Sequence, residues 1–141
     1  MREKFQNKAS ALLADQSTQA LADMLDHLLK PLHQTSGAEY LVVAGVSDEL
    51  DERYTAQAQA MTSREIIDAL APIADMREDT SPSAERRRTA YTEALIRRHP
   101  EADAAEAAWD AESDKAGEGS EMFERGPAGA VIAAVEVVLS R

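Results

Sequence analysis

Apolar residues recur at helical spacing along most of the chain, and the places where that rhythm breaks divide it into elements. Phe5, Ala9, Leu12 and Leu13, then Leu21, Met24, Leu25, Leu28, Leu29 and Leu32, fall at the intervals of a buried helical stripe. Asp15-Gln16-Ser17-Thr18 interrupts it, and Ser17 has the chemistry of an N-cap for a second helix. Leu21, Leu25, Leu28 and Leu32 repeat in the 4-3-4 order of a helix–helix seam, over too short a length for a coiled coil. Pro31 predicts a kink or an end to this helix, and Gly37 a C-terminal stop.

Residues 39–46 (EYLVVAGV) form a continuous apolar run that fits a buried strand or a buried helical turn. A strand needs a partner, and the only other β-branched run is 131–139, so helix or irregular structure is the preferred reading. Ser47 is a candidate N-cap, with Asp48 and Glu49 placed to complement the dipole of a helix over residues 48–60. Thr62-Ser63-Arg64-Glu65 has the form of a capping box and introduces Ile66, Ile67, Leu70 and Ile73, with Pro72 bending the helix. Ser81 followed by Pro82 is a start signal, and Pro100 fits the first position of the next helix. Residues 113–126 read as a flexible loop anchored by Met122 and Phe123, and Pro127 opens a last apolar helix through Val131, Ile132, Val135, Val138 and Leu139.

These elements predict one all-α domain over residues 1–141, a bundle of five or six helices. The valine-rich C-terminal helix is expected at its centre, against the leucine-rich N-terminal helix. The minor alternative is an α+β fold with a short two-stranded element from 39–46 and 130–139. Composition favours the helical reading: 27 alanines against six glycines and five prolines.

The two helices around Pro100 differ sharply in charge. The first carries Arg86, Arg87, Arg88, Arg97 and Arg98, a third of the 15 basic residues. The second, with the segment after it, carries nine acids and one lysine between 101 and 124. On a helical wheel Asp103, Glu106, Asp110 and Asp114 form an acidic stripe, and Ala104, Ala107, Ala108 and Ala111 a smooth face. An antiparallel hairpin about Pro100 would set Tyr91 against Trp109, Arg88 against Glu112, Arg97 against Asp103 and Arg86 against Asp114. Apolar faces and opposite charges would then fall into register together.

A net charge of −11 opposes general nucleic-acid binding and suits a basic partner. The absence of cysteine excludes disulfides, thiolate catalysis and cysteine-ligated metals. No secretory apolar core and no membrane-length run is present, which leads to the expectation of a cytoplasmic protein. Asp23 and His27 share a helix face near Asp26 and His33, without a recognised metal motif, and no nucleophile motif or phosphate loop stands out. Neither a catalytic residue, a metal nor a cofactor is expected.

The preferred functional reading is a non-enzymatic interaction or assembly module: an adaptor, accessory or inhibitor. Asp103, Glu106, Asp110 and Asp114 would bind a basic protein, or the chain would self-associate. One alternative is a regulator holding an anionic small molecule at Arg86, Arg87, Arg97 and Arg98, with Tyr91 at the edge. Another is a nucleic-acid mimic that blocks a nucleic-acid-binding protein.

Overall fold

The computed structural model describes residues 13, 15–29 and 37–141, with side chains from 42 onward in the last segment. The described residues form seven α-helices and one 3-10 turn, without a strand. The helices are α1 (Thr18–Leu29), α2 (Gly37–Ala60), α3 (Ser63–Leu70), α4 (Pro82–Arg98), α5 (Pro100–Ala116), α6 (Glu121–Arg125) and α7 (Ala128–Leu139). The 3-10 turn, Ala71–Ile73, follows α3 directly. Both runs of the two-stranded alternative are helical, 39–46 inside α2 and most of 130–139 inside α7.

Local signals set most boundaries. The Ser17 hydroxyl accepts from the Ala20 N–H at 3.0 Å and caps α1. Thr62 and Glu65 close a capping box at the start of α3. Ser81 caps α4, and Pro82 and Pro100 lie in the first turns of α4 and α5. Pro31, Leu32 and His33 lie outside the described residues.

Three expectations are corrected. Gly37 begins α2 instead of stopping the preceding helix, and Ser47 lies buried within α2 instead of capping a new helix. The stripe Val43, Val46, Leu50, Tyr54 and Ala58 passes Ser47 unbroken at helical spacing, and no Pro interrupts it. The expected loop over 113–126 is largely helical: α5 continues to Ala116, and Ser120, accepting from the Phe123 N–H, caps the short α6. This added helix raises the count above five or six.

The centre of the bundle is α4, not α7. It packs on α1, α2, α3, α5 and α7, with its closest association along α2. On one side α1 adds Leu21 and Leu25 to the stripe Leu50, Tyr54 and Ala58 of α2, against Tyr91 and Leu95 of α4. On the other side α7 brings Val131, Ile132 and Val135 against α5. The expected packing of α7 on α1 is replaced by this arrangement, in which each finds its main neighbours elsewhere. The side chains of α5 most fully buried are Ala102 and Ser113, small residues that let two helices approach closely.

The central helix is polar in sequence yet buries Ser83, Ala84, Arg88, Tyr91, Thr92 and Leu95. Its polar groups enter the core because neighbours receive them. Asp26 of α1 accepts from the Ser83 N–H at 2.9 Å and from its hydroxyl at 2.7 Å, adding a second cap to the first turn of α4.

Candidate interaction surface

The arginines of α4 do not face α5. Arg86 pairs with Asp51 of α2 at 2.6 Å. The guanidinium of Arg88 is buried and donates to the carbonyls of Ile73 at 2.5 Å and Asp79 at 2.7 Å. Arg98 donates at 2.8 Å to the Ala58 carbonyl in the last turn of α2, which also accepts from the Met61 N–H at 3.1 Å. Arg97 is exposed and lies 3.7 Å from Glu93, one turn back on its own helix.

Tyr91 likewise belongs to the α2 side. Its hydroxyl donates to Gln57 at 2.9 Å, and its ring meets Tyr54 edge-on, with centroids 6.5 Å apart. Burial pushes both phenols up, with Arg87 acting in the opposite direction. The Arg87 Nε is buried without a hydrogen-bond partner.

The expected charge-paired hairpin is therefore corrected: among the described residues no ion pair joins α4 to α5. The reason lies at the corner. A proline disfavours helical backbone in the residue before it, and His99 is extended at φ −131°, ψ 115°. One extended residue joins the helices, whereas antiparallel helical hairpins use loops of about 2–5 residues. Trp109 consequently lies among residues of α6 and α7, away from Tyr91.

With no arginine of α4 paired to them, most acids of α5 are left without internal counter-charge. Glu101 lies 3.8 Å from Arg141, at the far end of α7. Among the described residues Asp103, Glu106, Asp110, Glu112 and Asp114 make no ion pair. Glu106 is half-buried, and the other four are exposed. Burial pushes the Glu106 carboxyl up, and the charges of Asp110, Asp103 and Glu93 push it further.

Asp103 in the first turn complements the dipole of α5, but Asp110 and Asp114 lie toward its negative end, where acids are disfavoured. Ala104, Ala107, Ala108 and Ala111 are exposed beside the stripe. The four acids singled out from sequence thus share one uncompensated flank of α5. The arginine strip is split, and only Arg97 and Arg98 line a common cleft. That cleft, of about 150 Å³, lies between α2 and α4, with Thr55, Gln59, Ala90 and Ala94 on its walls.

Two further features escaped sequence reasoning. The Ser63 hydroxyl and His99 Nε2 lie 2.9 Å apart, tying the start of α3 to the α4–α5 corner. This is the separation of a nucleophile and its base, but neither residue lines the α2–α4 cleft. The second is an open groove of about 650 Å³ between α5, α6 and α7, with Trp109 in its wall.

Among the described residues no cluster of His, Asp and Glu is arranged to hold a metal. Asp23 accepts from Gln19 and Asp26 caps α4, so neither is directed at His27. No described helix is long and apolar enough to cross a membrane. No family model matches the chain, and neither a curated protein nor a solved structure shows significant similarity to it.

Proposed function

We propose that the protein is a non-enzymatic interaction module that binds a basic partner through the acidic flank of α5. The observation that carries this reading is the uncompensated charge of Asp103, Glu106, Asp110 and Asp114 beside exposed alanines. A chain that holds five arginines on the adjacent helix and pairs none of them with these acids keeps the acids free for another molecule. Their placement costs stability, through like-charge neighbours at i, i+4 and acids near a helix C-terminus. A basic partner would relieve that cost. Self-association through the same flank is disfavoured, because it would bring two acidic stripes together.

The test is titration calorimetry with a lysine-rich amphipathic peptide. The wild-type protein is expected to bind with an affinity that falls steeply with salt. The Asp103→Asn/Glu106→Gln/Asp110→Asn variant is expected to lose at least about tenfold in affinity while keeping its fold, which corresponds to about 1.4 kcal/mol. Equal affinity for both proteins would remove α5 from the account.

A second reading rests on the α2–α4 cleft, where Arg97 and Arg98 could hold a small phosphate or carboxylate. It is the weaker one, because Arg98 already donates to Ala58 and Glu93 lies on the same wall. Thermal stabilisation by inorganic phosphate that disappears in Arg97→Gln/Arg98→Gln would support it.

A further inference from the structure

We propose that the groove between α5, α6 and α7 seats a large apolar side chain, leucine or phenylalanine, carried on the lysine- or arginine-rich segment that α5 binds. This inference rests on the reading of α5 above and adds to it an anchor. The groove has a volume of about 650 Å³, within the roughly 300–1,000 Å³ typical of ligand sites. Trp109 and Met122 form its apolar walls, and α7 contributes only Gly129 and Ala130. A Cβ added at Gly129 would meet nothing within 4 Å, so the α7 wall is thin and the space is open. The one tryptophan of the chain is therefore left half-buried with room beside it.

Charge selects the occupant. Residues 109–126, which supply α5 and α6 to the groove, hold six acids against two bases. In the groove wall itself Glu121 and Arg125 pair at 2.6 Å, with Arg77 3.9 Å from Glu121 and Asp75 3.9 Å from Arg125. The uncompensated charge at the rim therefore comes from Glu106 and Glu112, one turn either side of Trp109 on α5. A cationic segment is drawn to such a rim, and an anionic one is repelled. A second copy of this chain, with its net charge of −11, would bring like charge to the same rim. Tryptophan is among the residues enriched at interface hot spots, where it lies in a packed pocket from which the surrounding contacts exclude water.

The sole tryptophan makes the test direct. Two lysine-rich helical peptides are compared by Trp109 fluorescence, one with a central leucine and one with alanine in its place. The leucine peptide is expected to shift the Trp109 emission to the blue and to bind about tenfold tighter than the alanine peptide. That gain should vanish in Ala130→Leu, which fills the groove, and shrink in Gly129→Ala, which narrows it on an exposed helical position. Circular dichroism identifies a variant that fails to fold, and the other variant then decides. Equal affinity of the two peptides with unchanged emission overturns the groove and leaves the acidic flank standing. A leucine gain that persists in the folded groove variants also overturns it. Binding of neither peptide overturns both readings.

Discussion

Arg88 reaches the carbonyls of Ile73 and Asp79 from inside the core, and its charge is supported by Glu85, Asp79 and Asp75 at longer range. Burial lowers its pKa without a carboxylate in direct contact, so main-chain acceptors carry the load. Replacing it with leucine strips two acceptors of their donor, and Arg88→Leu is expected to cost about 2–4 kcal/mol in urea unfolding. Glu106 works in the opposite direction. Its pKa is raised in the folded protein, so its stabilising contribution is complete below the ordinary glutamate value and is lost as pH rises through the raised one. At neutral pH the charged form is a burden. Glu106→Gln is expected to raise stability by about 0.5–1 kcal/mol, since each like-charge neighbour costs about 0.2–0.5 kcal/mol. The same substitution should weaken binding of a basic peptide, a trade expected of a functional residue and not of a structural one. The caps Ser17, Thr62 and Ser81 were legible in the sequence because each acts within three residues. The partners of Arg86, Arg88 and Arg98 were not, because Asp51, Ile73 and Ala58 lie far away in the chain.

At the scale of elements, periodicity located the helices and the connections decided how they pack. The stripe from Val43 to Ala58 was visible, but a serine with two acids after it resembled a start signal more than a helix interior. The charges of α4 and α5 suggested a hairpin that a one-residue corner at His99 does not allow. Lys115–Gly126 reads as loop by composition, and Ser120 alone hints at the short α6. That helix is fastened to the segment after the 3-10 turn: the Met76 N–H donates to the Arg125 carbonyl at 2.9 Å. Gly126 then turns the chain at φ 85°, where a Cβ would lie 2.7 Å from the Met76 sulfur. Gly126→Ala is expected to lower stability by about 1–2 kcal/mol, most of it from the backbone conformation, and a thermal melt measures it. Nearby, Asp75 accepts from the Arg77 side chain and main chain, which lowers its pKa to about 2. Its contribution is present above the ordinary aspartate pKa of 3.8 and is lost as pH falls through about 2. Asp75→Asn should therefore flatten the loss of stability in that acid window and leave the shape of the curve above pH 5 unchanged.

Over the whole molecule, one polar helix organises two apolar layers and buries one of its five arginines, Arg88. α2 receives Arg86 and Arg98, main-chain carbonyls at Ile73 and Asp79 receive Arg88, and Arg97 pairs within α4, so much of the net charge of −11 is expressed on α5 and the segment after it. All-helical class and the location of the acidic flank could be read from spacing and composition. The site of the groove could not, since it depends on where α7 meets Trp109. The arginines divide the molecule: on the α2–α4 side Arg86, Arg88, Arg97 and Arg98 are paired or bonded to main-chain carbonyls, whereas no arginine of α4 reaches the acids of α5. The most direct measurement is amide chemical-shift mapping of the labelled protein titrated with a lysine-rich helical peptide. Shifts concentrated on residues 103–114, fading as salt is added, are the expected result. Shifts centred on α2 and the arginines of α4, with α5 unmoved, would contradict the account.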